Sequence, residues 1–275
     1  MQGSSRAAAA HGQKALDSAL AGSGQLGGRE ADGLAEDLFG IGAALDSSAT
    51  LRRALADPSR EAGVKGDLVR HLLAGRVSDT AVTLVAVLAG QRWSTERDLT
   101  DTIEEHAVQA LAVGAERAGR IDRVEDELFR FERIVAGSPE LREAVTDRRA
   151  DARAKAAVVA ALLDGKAAPE SVRLARQAVL APRGRRFDRV IAGYLRIIAT
   201  RRQQLAATVT SAIDLDPAQR ERLAAVLTRI YGKPVHLNVV RDPQVVGGIR
   251  VQIGDEVVDG TVLRKLEGAR RHFGG

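Results

Sequence analysis

Residues 65–75 read KGDLVRHLLAG, and residues 155–165, at an offset of 90, read KAAVVAALLDG. In the first stretch Leu68, Val69, Leu72 and Leu73 fall at i, i+1, i+4 and i+5, which is one apolar face of a helix; Val158, Val159, Leu162 and Leu163 repeat that spacing. Gly75 and Gly165 follow close behind, where a residue free to turn left-handed ends a helix. Outward at the same offset, Glu36-Asp37-Leu38-Phe39 lines up with Asp126-Glu127-Leu128-Phe129. Leu51-Arg52-Arg53-Ala54-Leu55-Ala56-Asp57 lines up with Leu141-Arg142-Glu143-Ala144-Val145-Thr146-Asp147. Without a gap, residues 36–76 and 126–166 share 13 identities over 41 positions. Shared Ala, Leu and Arg content does not account for the matched Asp, Lys and Gly, so the spacing predicts a duplicated helical bundle.

Each copy runs on into an apolar helix, Thr80 to Ala89 and Ser171 to Ala181, then a polar or basic turn, Gly90 to Trp93 and Pro182 to Phe187, then a longer helix. After about residue 204 the period changes. Thr208 to Ile213 is rich in β-formers, with Val209, Ser211 and Ile213 on one side. Asp216-Pro217 supplies an N-cap and a first-turn proline, Gln219 completes a capping box, and a helix is predicted to run to Tyr231 before Gly232 stops it. Val235, Leu237 and Val239 alternate with polar residues in one strand, and Ile249, Val251 and Ile253 in another. Gly254-Asp255-Glu256 marks a hairpin into Val257-Val258, and Leu263, Leu266, Ala269 and Phe273 stripe a closing helix. The fold expected is mainly α with an α+β tail: a first helical bundle at 1–105, a second at 106–203, and a small C-terminal α/β domain at 204–275.

The composition agrees. The chain has 275 residues, 45% of them hydrophobic, enough for two or three small cores, and only 3% aromatic. It has no cysteine, which excludes disulfides, cysteine-ligated metals and thiol nucleophiles, and fits a reducing cytoplasmic setting. Met1 to Ala10 is followed by Gly12, Gln13 and Lys14 rather than an apolar core, so no secretory signal is expected. The longest apolar stretch, Ala81 to Gly90, falls far short of the roughly 20 residues that span a bilayer, so membrane association is expected to be peripheral. The net charge of +5 is uneven: residues 145–205 hold 14 Lys and Arg against 5 Asp and Glu. Such a basic middle suits an acidic protein, an anionic surface or nucleic acid, or serves solubility alone.

Motifs for chemistry are missing or out of context. Gly22-Ser23-Gly24-Gln25-Leu26-Gly27 fits the dinucleotide fingerprint in letters, but a helical pattern precedes it where a strand is needed, so it reads as an interhelix linker. There is no Walker cradle and no G-x-S-x-G. The five histidines, His11, His71, His106, His236 and His272, are scattered and read as surface or turn residues, and Glu104-Glu105 reads as part of a solvated helix face. No catalytic, cofactor or metal site is expected. Nucleic acid is not expected as a partner either, because stacking aromatics are few and no RNA-binding string is present.

The run Asp242-Pro243-Gln244-Val245-Val246-Gly247-Gly248-Ile249-Arg250-Val251-Gln252-Ile253-Gly254-Asp255-Glu256-Val257-Val258-Asp259-Gly260-Thr261, continued by Leu263-Arg264-Lys265-Leu266, closely resembles the signature of the F-type ATP synthase delta subunit family, whose mitochondrial members are the oligomycin-sensitivity-conferring proteins. Lys233-Pro234-Val235-His236-Leu237-Asn238 resembles the family's second strand. Residues 106–275 look like a complete member of the family, and 1–105 like an extra copy of its bundle, as in the long actinobacterial form. The resemblance implies a non-catalytic stator subunit on the cytoplasmic face of the membrane, peripheral through its complex. Its bundle would bind the amino-terminal helices of the alpha subunits, and its tail the b subunit of the peripheral stalk. Helix-in-groove docking suits that role. Candidate groove residues are Leu84, Val87 and Leu88 in the first bundle and Leu174, Ala178 and Val179 in the second; the same residues also suit a core. In the tail the candidate contacts are Gly248, Arg250, Asp255, Leu263 and Leu266. The alternative to a stator subunit is a basic helical adaptor binding nucleic acid or an acidic protein partner, which rests on the charge of the middle segment alone.

Overall fold

Ser48 and Ser138 start equivalent helices. Each hydroxyl accepts from the backbone N–H three residues on, Leu51 and Leu141, both at 3.2 Å. Gly75 and Gly165 end the next helix of each set with φ of 70° and 69°, a conformation that strains any residue with a Cβ. A computed structural model describes residues 3–22, 28–147, 149–203, 205–232, 234–243, 245, 247–253 and 256–259. The helices, in order, are α1 (Gly3–Gly22), α2 (Gly28–Ser47), α3 (Ala49–Ala56), α4 (Ala62–Leu73), α5 (Asp79–Gly90), α6 (Glu96–Arg117), α7 (Ile121–Gly137), α8 (Pro139–Thr146), α9 (Ala152–Leu163), α10 (Pro169–Leu180) and α11 (Phe187–Gln203). Helices α3, α4 and α5 recur as α8, α9 and α10 with the same 8, 12 and 12 residues and the same 90-residue offset.

Side-chain roles recur too. Asp37 Oδ2 accepts from the N–H and the hydroxyl of Ser78, and its counterpart Glu127 accepts from the N–H of Ala168 and the hydroxyl of Ser171. Both carboxylates thereby hold the start of an apolar helix, α5 or α10, against the long helix before it. Asp57 and Asp147 each accept from the N–H two residues on, closing the same turn.

The chain divides into two compact units, Met1–Leu16 with Gly27–Arg202, and Asp17–Leu26 with Gln203–Gly275. In the helical unit α6 is the central element. Its buried residues, from Leu99 to Ala115, lie all round the helix, because α2, α3, α5, α7 and α10 pack on it from different sides. Residues 105 and 106 both lie inside it. Burial there corrects two expectations. Glu104, read as part of a solvated face, is 2% exposed, and His106, read as a surface or turn residue, is also 2% exposed. Gly12 of α1 allows the close approach around this histidine: a Cβ at that position would stand 2.3 Å from Leu88 Cδ2 and 2.9 Å from His106 Cε1.

In the second unit β1 (Leu205–Ser211) and β2 (Val235–Arg241) are parallel, which requires a crossover, and α12 (Pro217–Tyr231) supplies it. Strands β3 (Ile249–Ile253) and β4 (Glu256–Asp259) add antiparallel partners, giving the order β2-β1-β3-β4. The capping box at Asp216 and Gln219 is formed, and Gly232 ends α12 at φ 66°. The core is Ala207, Val209, Leu227, Val235, Leu237, Val239, Val251 and Ile253. The alternation in both predicted strands is therefore the buried face. Ile213 is a correction: β1 stops at Ser211, and Ile213 lies beyond the ladder at 67% exposure. Gly254-Asp255 and the predicted closing helix lie outside the described residues, as does 23–27 of the glycine-rich stretch; what precedes that stretch is helix α1, not a strand. The mainly helical chain with an α+β tail is the fold observed.

Candidate functional site

Both apolar helices face inward. Leu84, Leu88, Leu174, Ala178 and Val179 are between 0% and 2% exposed, and Val87 is half-buried. Helix α5 packs on α4, α2 and α6, and α10 on α9, α7 and α6. These residues form the floor of the helical unit, each large one contributing about 2 kcal/mol of burial. The polar edge of α10 is engaged as well: the Arg173 guanidinium lies 4.1 Å from the centre of the Phe39 ring on α2 and pairs with Glu36.

The turn after α10 carries the strongest electrostatic feature of the unit. Arg183 has φ 46°, which swings its side chain toward α2 and α6, where it is 6% exposed. Its Nε donates to Asp46 Oδ2 at 2.7 Å, and its Nη1 donates to Glu104 Oε2 at 2.6 Å and to Asp101 Oδ1 at 3.3 Å. Arg185 Nη2 also donates to Glu104 Oε2, and the Tyr194 hydroxyl to Glu104 Oε1, each at 2.6 Å. Burial, and then the Glu104 charge beside it, pushes the Tyr194 hydroxyl well above its ordinary value. The cluster joins the loop before α11 to α2 and α6, so it holds the two helical repeats together. Sequence reasoning missed it because its members lie about 80 to 140 residues apart.

Part of the basic middle is engaged in such pairs. Arg173, Arg183 and Arg185 are joined to acids of α2 and α6, Arg201 to Glu116, and Arg202 to Glu125. Those five arginines serve contacts within the unit itself, which weakens the charge argument for a nucleic-acid or acidic-partner adaptor.

One cavity of about 650 Å³ opens among α7, α8, α9, α10 and the start of α11. Val135, Val145, Ala178 and Phe187 give it apolar walls, and Arg142, Lys155, Arg185 and Arg186 bring positive charge. Phe187 is fixed by an edge contact with Phe131 at 6.1 Å between ring centroids.

In the tail unit Gly247 and Gly248 turn left-handed ahead of β3, at φ 64° and 81°, and Gly248 and Arg250 are exposed. Asp255, Leu263 and Leu266 lie outside the described residues. Sequence reasoning passed over Val226 and Ile230, one turn apart on α12 and 48% and 67% exposed, and Val257 and Val258 on β4, 45% and 51% exposed. The signal was present: α12 has a second apolar row besides the one that Leu223 and Leu227 turn to the sheet. Among the described residues no helix is long and apolar enough to cross a membrane.

Comparison with known proteins places these features. The profile of the ATP synthase delta (OSCP) subunit matches residues 103–273. The chain is 47% identical over 273 residues to the ATP synthase subunit delta of Kineococcus radiotolerans, covering 99% of this chain and 98% of that one. It is 44% identical over 273 residues to that of Streptomyces coelicolor, with the same coverage, and 47% identical over 248 residues to that of Beutenbergia cavernae, covering 90% of this chain and 92% of that one. The likeness therefore takes in both helical repeats and the sheet, and the chain belongs to the ATP synthase delta (OSCP) subunit family.

Proposed function

We propose that this chain, a peripheral-stalk subunit of an F-type ATP synthase, joins the catalytic head to the membrane-anchored b stalk and holds the head against rotation, performing no reaction of its own. Rotation of a central shaft does work on catalytic sites only if the head cannot turn with it, so the connector must carry torque between two bodies. The observation that carries this reading is that each of the two compact units has apolar side chains at its surface. Leu72, Phe129, Val158 and Leu162 are exposed on the helical unit, and Val226, Ile230, Val257 and Val258 on the sheet unit. A linker needs two such handles.

In this reading the helical unit receives amino-terminal helices of the alpha subunits, and the tail, through α12 and the turn at Gly248 and Arg250, receives the b subunit. The apolar residues of α5 and α10 support the docking surface from beneath, with the half-buried Val87 nearest to it. A stable contact of this kind buries on the order of 1,600 Å². The helical region acts as two copies, 1–105 and 106–203, with α6 serving as the last helix of one and the first of the other. The chain then sits on the cytoplasmic face of the membrane, attached through the complex.

The test is reconstitution. Membranes stripped of this chain should lose proton-driven ATP synthesis and regain it when the purified chain is returned, and the chain should bind a peptide from the alpha amino terminus. Full coupling without the chain would overturn the proposal.

A further inference from the structure

The second helical repeat leaves open a space at the point where the first is closed. In the first repeat Lys65 is 2% exposed, and its Nζ donates at 3.0 Å to the carbonyl of Gln91, where the loop after α5 folds back. Trp93 of the same loop is 5% exposed, its Nε1 donating at 2.8 Å to the carbonyl of Leu88. In the second repeat the matching Lys155 is 9% exposed and turns its Nζ to the carbonyl of Asp147, at 2.9 Å. The loop after α10 is instead drawn toward α6, through Arg183 and Arg185 on Glu104. The cavity of about 650 Å³ lies between, a volume within the usual range for ligand sites.

Its charges are not all matched. Arg185 is held by Glu104 and Arg186 by Asp188, whereas among the described residues neither Lys155 nor Arg142 makes an ion pair. Lys155 uses one of the three donors of an ammonium on Asp147, and Arg142 reaches the carbonyl of Ala136 at 3.4 Å. A largely buried cation with donors to spare, beside apolar walls, calls for one anionic acceptor carried on an apolar body. The wall also includes Glu132 and Asp188, which disfavour a ligand with several negative charges such as a nucleic-acid strand.

We propose that this cavity binds a partner protein's segment bearing a single carboxylate, an Asp or Glu side chain flanked by apolar residues. The carboxylate pairs with Lys155 and Arg142, and its apolar neighbours cover Val145 and Phe187. The inference rests on the connector reading, which supplies a protein partner, and adds to it the chemistry of one contact.

The experiment uses the full chain bound to the rest of the synthase complex. A photo-crosslinking residue of similar length replaces Arg186, an exposed residue at the cavity wall, and crosslinked peptides are identified by mass spectrometry. The expected product is one partner segment with an acidic residue between apolar ones. Lys155→Met should cut its yield and weaken binding about tenfold, while Lys65→Met, the matched change in the first repeat, should leave both unchanged. If Lys155→Met fails to fold by circular dichroism, Thr146→Trp, which blocks the wall and spares the lysine, should give the same loss of binding. A chain that assembles without a crosslink, or a yield indifferent to Lys155→Met or to Thr146→Trp, overturns the site and leaves the connector reading intact. A chain that does not assemble overturns both.

Discussion

In the first helical repeat Phe39 is buried beneath the guanidinium of Arg173; in the second its counterpart Phe129 is 54% exposed. The neighbours differ in the same sense. Gly40, Gly42 and Ala43 on α2 become Arg130, Glu132 and Arg133 on α7, and a Cβ at Gly42 would stand 3.3 Å from the Arg183 guanidinium. Gly42 thus leaves room for the guanidinium that the second repeat brings to the first, whereas Gly40 and Ala43 are exposed, and the second repeat carries long charged residues at all three matching positions. Terminal units of stacked arrays need a polar outer face, and Arg130 and Arg133 on α7 are exposed as such a face requires. Turn chemistry, by comparison, hardly changes between the copies, because the caps and left-handed glycines answer to the backbone alone.

The comparison breaks first at Glu104. If the seam between repeats depends on this carboxylate, Glu104→Ala leaves the buried Tyr194 hydroxyl without its acceptor and takes one acceptor each from Arg183 and Arg185, and should cost about 3 kcal/mol in urea unfolding of the full chain. Arg173→Ala should cost only about 1–2 kcal/mol, because Glu36 is 54% exposed and its ion pair is screened. Equal losses for the two would mean that apolar contacts, not the buried acid, hold the repeats together.

The second contrast is pH. His106 is buried between α1 and α5, its Nδ1 has no hydrogen-bond partner among the described residues, and burial lowers its pKa from 6.5 to about 4. The unfolded chain therefore takes up a proton near pH 6.5 that the folded chain refuses until about pH 4. This stabilisation is complete above 6.5 and is lost as pH falls through that window, by about 3 kcal/mol in all. Burial raises the pKa of Asp32, Asp101 and Glu105, which gives slopes of opposite sign, so the informative quantity is the difference between the chain and His106→Leu. That difference should grow as pH drops from 7 to 4; a difference independent of pH would show that His106 is hydrated.

Much of this was legible in the residues, and the part that was not has a physical reason. The apolar spacing at Lys65 to Leu73, the glycines after it, and the capping box at Asp216 are local signals, and they appear as α4, the two left-handed turns and the start of α12. The polar letters of α6 read as solvated because a sequence does not reveal that five helices surround one. For the same reason the groove residues of α5 and α10 could not be told from core. Asp46, Asp101, Glu104 and Arg183 carry no common motif; only folding brings them together. The cavity beside Lys155 was likewise invisible, since the lysine matches Lys65 and the difference lies in where a loop goes.

The smallest test asks how faithful the copies are. Ser48→Ala and Ser138→Ala each remove an acceptor from an N–H at the start of an eight-residue helix, and a cap of this kind contributes about 1 kcal/mol. The two sites differ in one respect: Ala49 begins α3, whereas Pro139 begins α8 with φ already set and no N–H to satisfy. If the hydroxyl does the same work in both, the two losses measured by thermal unfolding should agree within about 0.5 kcal/mol. A loss at Ser138 less than half that at Ser48 would show that the proline carries the second start on its own, and that the copies have diverged at a turn their letters leave unchanged.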